Sequence, residues 1–508
     1  MDVFDFRKRL IRDYRDYVES FIQIKDPRIG DHVHKVLDEG ELWPESLIQL
    51  NPAFAPGAWI DELVQNNTLH PLCQRIFRRK DDPADLGKPL RLHLHQTQAI
   101  DTAKTGASYV LTTGTGSGKS LAYIIPIVDA VLRNGPGKGI KAIIIYPMNA
   151  LANSQYGELE KFIQWGFAKD QYPLHFAKYT GQENEDQRKA IIQNPPDILL
   201  TNYVMLELIL TRPEERGLIH AARNLHFLAL DELHSYRGRQ GADVSLLLRR
   251  VRETLCAWQM QCIGTSATLA GEGTFMEQQR EVAKVASQLF GAEVKPEHVI
   301  GETLQRLTPE LDFSQQAACT SLIQQASAKP DFPPEGSQFI CQPLSSWLES
   351  TFGVTTDPAS GRLVRAKPCA IGGDEGAAQK LAKLTGLEIS HCASMIKEAL
   401  LAGNRCTPLP ESAIPPFVYR LHQFISRGDT VHASLEPEER RHITLYGQQF
   451  VPGDREKILL PLAFCRECGQ EYYTVYLNRT HKGPVVSPRG LNDQPLDEEQ
   501  QAGFLYFS

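Results

Sequence analysis

The sequence predicts an α/β protein built around a parallel sheet, with a helical segment ahead of the sheet and a mixed α/β insert behind it. Three observations predict this. From about residue 85 to 300, short β-rich runs alternate with helical stretches. The runs are apolar or β-branched at nearly every position, as strands covered by helices on both faces must be. Each run is followed within two residues by Gly, Pro, Asn, Asp or Ser, and open α/β sheets bind their ligands at those carboxyl ends. At 508 residues the chain also exceeds one compact core, so roughly two to four domains are expected.

Phe4, Leu10, Ile11, Tyr14, Val18, Phe21 and Ile22 recur mostly at steps of three and four, which predicts an amphipathic helix over 3–24. Pro27, Gly30, Pro44, Pro52, Pro56 and Gly57 then break the chain. Residues 1–84 therefore read as a helical accessory segment whose apolar stripe packs on the next domain. Within 85–300 the predicted strands are Tyr109 to Thr112, Ala142 to Tyr146, Ile198 to Thr201, Leu225 to Leu230 and Cys262 to Thr265. Residues 301–415 read as a linker-rich, mainly helical insert. In it, Ala377 to Leu384 and Ser390 to Leu401 flank a Gly386 turn, as a helical hairpin or a helix-turn-helix; no basic cluster on the second helix favours the latter. Residues 416–508 read as a mixed region carrying Cys465-Arg466-Glu467-Cys468.

Composition excludes several classes. Lys plus Arg number 54 against 61 Asp plus Glu, a net charge of −7, so any nucleic-acid contact must be a local groove. With 42% apolar and 23% charged residues the chain is an ordinary globular protein rather than a disordered one. The N-terminus is charged throughout, unlike a signal peptide, and no apolar run approaches the roughly 18 residues of a membrane span. Ten cysteines, mostly isolated, suit free thiols in a reducing compartment. A soluble, cytoplasmic protein without a membrane partner is expected.

Thr113-Gly114-Thr115-Gly116-Ser117-Gly118-Lys119-Ser120 lies between the first strand and the helical run from Leu121. Glycines let successive backbone N–H groups turn inward around phosphate oxygens, and a helix N-terminus adds positive partial charge. Lys119 is placed to reach β and γ phosphates, and Ser120 to put its hydroxyl on Mg²⁺. Thr113 stands where the strict phosphate-loop pattern has Gly. Asp231-Glu232-Leu233-His234 follows a buried strand, where unpaired carboxylates are costly unless they meet a cation. Asp231 facing Mg²⁺ relieves that cost, and Glu232 can take a proton from an attacking water. Ser266-Ala267-Thr268 follows the next strand, where its hydroxyls can bond those acids and report the nucleotide state; alone it is a turn signal.

In this order the three stretches resemble motifs I, II and III of the superfamily 2 helicases of DExH-box type. The resemblance implies a RecA-like ATP-binding domain over 85–300, with ATP and Mg²⁺ as cofactors and His234, Ser266 and Thr268 as coupling residues. His95-Gln96-Thr97-Gln98 is similar to that family's adenine-reading Q motif, which assigns Gln96 to the base. Pro147, Gln155, Thr180, Gly181, Thr201 and Asn202 fall in regions resembling its backbone-contacting motifs. A finer resemblance is to large bacterial DNA helicases with a C-terminal cysteine cluster, which act in repair and phage defence. It rests on DELHSYRGRQG at 231–241, PPFVYRLHQFISRG at 415–428 and FCRECG at 464–469. Arg237 and Arg239 are then either phosphate contacts or a solvated helix entry.

Two departures stand out. The resemblance implies a second RecA-like lobe bearing an arginine finger, and no Gln-x-x-Gly-Arg-x-x-Arg stretch follows residue 300. A fragment is expected, or a half whose lobe comes from a partner. Cys465 and Cys468 supply half of a tetrahedral zinc site, or a turn with two free thiols; His442 and His481 are the nearest candidates for a further ligand. The function expected is an ATP-driven DNA helicase or translocase. A nucleotide-dependent DNA-clamping scaffold and an RNA helicase are the alternatives.

Overall fold

The computed structural model describes the chain apart from residues 1, 21–22, 41, 115, 170, 268–273, 359, 411–413, 427–429, 481–482, 496–499 and 507–508. Contacts divide it into two compact units. One comprises Pro52–Arg306 and Val354–Arg365; the other comprises Met1–Asn51, Leu307–Gly353 and Ala366–Ser508.

The first unit is built on a seven-stranded sheet in the order Val299–Gly301, Tyr109–Thr112, Gln261–Ser266, Phe227–Leu230, Ala142–Tyr146, Ile198–Asn202, Phe176–Lys178. Every pairing is parallel. All five predicted strands are present, within two residues of their expected bounds. The two edge strands, Phe176–Lys178 and Val299–Gly301, are three residues each and were not read.

Alternation along the strands builds a core on either face. Ala142, Ile144 and Tyr146 join Leu111, Leu200 and Ala229 beneath helix Leu121–Asn134. Ile143 and Ile145 join Val110, Leu199 and Leu230 beneath helices Tyr203–Thr211, Gly238–Thr254 and Phe275–Phe290. A fully buried side chain of this kind contributes about 1.5–3 kcal/mol, so a sheet buried on both sides makes a rigid platform.

Residues 52–84 belong to this unit rather than to a separate N-terminal segment. Ala53–Phe54 pairs with Leu304–Gln305, and Pro56–Trp59 pairs with Arg91–His93. Ile60, Leu63, Cys73 and Ile76 enter the first core. The prolines that read as loop punctuation sit beside or at the edge of short strands, where a missing N–H is tolerated.

In the second unit, helix Val3–Ser20 realises the amphipathic prediction, and helix Pro27–Glu39 is capped by the Asp26 carboxylate and by left-handed Gly40. Phe4 packs with Ile48 and the helices Pro343–Leu348 and Ile389–Arg405. Ala377–Thr385 and Ile389–Arg405 form the expected helical pair about left-handed Gly386. The described residues of 416–508 are mostly strands, with one short helical turn at Glu438–Arg440. An antiparallel sheet centred on Asp454–Phe464 and Glu471–Thr480 packs on Ile29, Val33 and Leu37. No described helix is long and apolar enough to cross a membrane.

Candidate nucleotide site and nucleic-acid face

Parallel register brings the carboxyl ends of the central strands to one rim: Ser266 pairs with Thr112, and Leu230 with both Gly264 and Ile145. The phosphate loop leaves this rim after Thr112. Gly116 and Gly118 have φ of 84° and 68°, a left-handed backbone that side chains resist. A Cβ on Gly118 would also lie 2.6 Å from Gln96 Nε2.

Side chains hold the loop from outside. The Thr113 and Ser117 hydroxyls are 2.6 Å apart, and the Thr113 N–H donates to the Ser266 carbonyl at 3.2 Å. Gln96 Nε2 donates to the Gly118 carbonyl at 2.8 Å, while its Oε1 accepts from the His93 N–H. Gln96 is therefore locked on the loop. His95 Nε2 lies 2.9 Å from the Ser117 carbonyl; burial pushes this imidazole down, so a neutral ring donates there.

The acids sit opposite. Lys119 Nζ is 3.2 Å from Glu232 Oε1, an ion pair between the loop and the acids. Asp231 is buried and accepts from the Thr265 hydroxyl. Burial, followed by the neighbouring Glu232, raises its carboxyl, whereas Thr265 and Lys119 act the other way. Glu232 adopts a left-handed φ of 53°, its N–H donating to Thr265 Oγ1 at 3.1 Å. Its Oε2 is buried without a hydrogen bond and faces His234 Nδ1 at 3.2 Å. Ser266 Oγ lies 3.4 Å from the same Nδ1, so His234 stands between the second and third motifs.

These residues fit a magnesium-bound triphosphate. A carboxylate and a serine hydroxyl are the hard oxygens Mg²⁺ takes, and the glycine turn has a backbone only glycine adopts freely. Ser120 opens the helix Leu121–Asn134 as its N-terminal cap residue. Thr115 and Thr268 lie outside the described residues.

A second cluster lies along the same rim. A cavity of about 450 Å³ is lined by Pro147, Asn149, Thr180, Gly181, Asn202 and Tyr203, among others. Asn202 caps helix Tyr203–Thr211 through the Met205 N–H, and its amide donates to Asn149 Oδ1 and the Thr180 carbonyl. The N–H groups of Thr180 and Gly181 both point at the Glu183 carboxylate, at 2.7 and 3.0 Å. Thr201 is fully buried and ties its hydroxyl to the Tyr179 carbonyl, a structural position behind the cavity. Gln155 is on helix Asn149–Ile163 and does not line the cavity. Arg237 and Arg239 are exposed at the start of helix Gly238–Thr254; Arg237 shares a different, larger cavity with His234 and Ser266.

In the second unit, Cys465 and Cys468 form a tight turn in which the Gly469 N–H donates to the Cys465 carbonyl at 2.9 Å. N–H groups of Cys468 and Glu467 directed at the Cys465 sulfur hold its thiol below the usual range. Among the described residues no group of three or more His, Cys, Asp or Glu is gathered for a metal, so His442 does not join the pair; His481 lies outside the described residues.

Three residues at the nucleotide site were not read from the sequence. Thr265 reads in the sequence as a strand residue, though its side chain orders both acids. Glu302 accepts the Gly114 N–H at 2.9 Å and forms a paired ion bridge with Arg365, at 2.7 and 2.8 Å. Burial alone would raise the Glu302 carboxyl; Arg365 and that N–H bring it below its ordinary value. Glu302 follows the strand Val299–Gly301, so the strand-end rule would have flagged it had that short strand been recognised.

Residues 93–274 match the DEAD/DEAH box helicase family. The Druantia protein DruE of Escherichia coli (strain UMEA 4076-1) is 25% identical over 385 residues, covering 53% of this chain and 20% of its own. The uncharacterized ATP-dependent helicase YprA of Bacillus subtilis (strain 168) is 30% identical over 193 residues, 37% of this chain and 24% of its own. The chain thus spans a fifth to a quarter of the length of these curated relatives. Among solved structures, the DUF1998 helicase MrfA bound to DNA aligns at a TM-score of 0.37 and 21% identity, covering 56% of this chain and 36% of that one.

Proposed function

We propose that this chain, whose residues 93–274 form a DEAD/DEAH box helicase domain, is the motor portion of an ATP-dependent DNA helicase or translocase. The observation that supports this most is the meeting of Lys119 and Glu232 at 3.2 Å, with Asp231 held beside them by Thr265. Magnesium-bound ATP, when present, supplies the γ-phosphoryl group whose transfer to water drives the cycle. The geometry supports the following part for the chain's own residues. Lys119 leaves Glu232 for the phosphates, which frees Glu232 Oε1 to orient a water and accept its proton. Asp231 stays aimed by Thr265, and Gln96 stays seated on the loop beside the adenine. His234, touching both Glu232 and Ser266, passes the state of the acid to the next strand.

Asn202, Thr180, Gly181 and Pro147 form the face that grips a strand by its phosphates, with Arg237 and Arg239 as exposed outer contacts. The choice of DNA, and of repair or phage defence as the setting, rests on the resemblance to large bacterial DNA helicases. A second RecA-like lobe, in a longer chain or a partner, is proposed to bring the arginine that completes the site. Cys465 and Cys468 offer two of the four ligands a structural zinc takes; zinc content before and after Cys465→Ser tests whether others complete them.

Steady-state ATPase measured with and without single-stranded DNA tests the motor. Stimulation that disappears in Glu232→Gln, with a fall of about 10²-fold or more, is expected. Nucleotide-dependent DNA retention with no turnover would favour a clamping scaffold, and stronger stimulation by RNA than by DNA would overturn the substrate assignment.

A further inference from the structure

The entrance of the phosphate loop carries an ion pair that the hydrolysis scheme does not use. Glu302 accepts the Gly114 N–H at 2.9 Å, and the Arg365 guanidinium meets both Glu302 oxygens. Both side chains are about four-fifths buried, at 18% and 20% exposure. Arg365 comes from a two-stranded hairpin, Val354–Thr356 with Leu363–Arg365, which the chain adds to this unit from a distant stretch. The hairpin is anchored a second time where Arg362 stacks over Phe275 at 4.0 Å. The fit at Gly114 is close: a Cβ there would lie 2.5 Å from an Arg365 nitrogen.

Each half of this arrangement has a consequence. A carboxylate bonded to a loop N–H fixes the loop where it leaves the sheet, but alone it also puts a negative charge beside a site for polyphosphate. In so buried a setting such a charge is weakly screened. A bidentate guanidinium cancels it without giving up the bond to Gly114.

We propose that Arg365 is a positioning residue for nucleotide binding, acting through Glu302: it neutralises and aims the carboxylate that pins Gly114, so that the loop is held without repelling the triphosphate. This rests on reading residues 113–120 as a nucleotide site, and it makes the inserted hairpin part of that site.

The test is the affinity of the full chain for a fluorescent ATP analogue with Mg²⁺, measured for Arg365→Ala, Glu302→Gln and the double variant. Arg365→Ala should bind about tenfold more weakly, because it leaves Glu302 charged and unpaired. Glu302→Gln keeps an acceptor for Gly114 and should stay within about threefold of the parent. The double variant should recover to the same range, and Arg365→Lys should fall between. Adenosine, which lacks phosphates, should compete equally in all four. Rescue separates this role from direct contact and from simple folding support, since a lost contact or a damaged fold would not be repaired by removing a second polar group. Unchanged affinity in Arg365→Ala, or a double variant as weak as the single, overturns the proposal. A parent chain that binds no nucleotide overturns the site reading as well, whereas binding that needs Lys119 and ignores Arg365 overturns this inference alone.

Discussion

Thr265→Val isolates the one hydroxyl that orders both acids. Thr265 is 1% exposed, donates to Asp231, and accepts the Glu232 N–H at 3.1 Å. Valine keeps the shape of the side chain and removes only those two bonds. A hydrogen bond to a charged partner is worth about 1.5–3 kcal/mol, and an N–H left without an acceptor costs about 1–3 kcal/mol. The parallel-sheet unit should therefore lose about 2.5–6 kcal/mol at pH 7. The loss should depend on pH. The Asp231 carboxyl is already raised, first by burial, so the folded chain holds a proton that the unfolded chain gives up, and this group costs stability as pH rises through its folded value. Removing the Thr265 donor raises it further, so the penalty of the variant should be larger at neutral pH than at about pH 5. Urea unfolding of parent and variant at the two pH values measures the difference. Acid-sensitive groups elsewhere contribute equally to both chains and drop out. A penalty under about 0.5 kcal/mol at pH 7, or one independent of pH, would refute the claim that Thr265 holds the Asp231 carboxyl down and orders both acids.

Lys119→Ala should weaken triphosphate binding by about a hundredfold or more, since a charge-assisted contact to phosphate is lost; isothermal titration with Mg²⁺ reads it. Asn202→Ala should cost about 1 kcal/mol of stability as a lost helix cap and should also weaken single-stranded nucleic-acid binding in a filter assay, without changing nucleotide affinity. Burial pushes His93 down to about 4 and pushes His95 down as well. Unfolding then takes up protons between the ordinary histidine value of 6.5 and those folded values. The unit should be fully stabilised by these rings above 6.5 and lose that contribution as pH falls, for His93 toward about 4. His93→Gln should flatten that part of a urea-midpoint profile.

What the sequence disclosed, and what it hid, follows from the range of each signal. The central strands are uniform apolar runs ended by turn residues, so local composition alone exposes them. The phosphate loop and the Asp231-Glu232 pair are legible for the same reason: strand, turn and polar residues are contiguous, and buried carboxylates at a strand end call for a cation. The edge strands Phe176–Lys178 and Val299–Gly301 are too short to show a period. In the C-terminal sheet, Asp454–Phe464 begins Asp-Arg-Glu-Lys and is buried only over its middle, so its exposed half reads as solvent-facing chain rather than strand.

Side-chain networks are hidden more deeply. Glu302 and Arg365 are 63 residues apart, and the Gly114 N–H they hold is 188 residues from Glu302. No periodicity connects such positions. What connects them is the strand-end geometry: once Val299–Gly301 is known to lie beside Tyr109–Thr112, the residue after it must emerge next to the loop after Thr112. A carboxylate emerging there needs either a cation or a hydrogen-bond donor. This chain supplies both, from an inserted hairpin and from a loop N–H. The same reasoning that located Asp231 and Glu232 thus extends to Glu302, and it assigns the two sides of the loop opposite electrostatic tasks. On the proposed reading, Lys119 leaves Glu232 on one side to meet the phosphates, while on the other Arg365 stays bound to Glu302 and keeps its charge from repelling them.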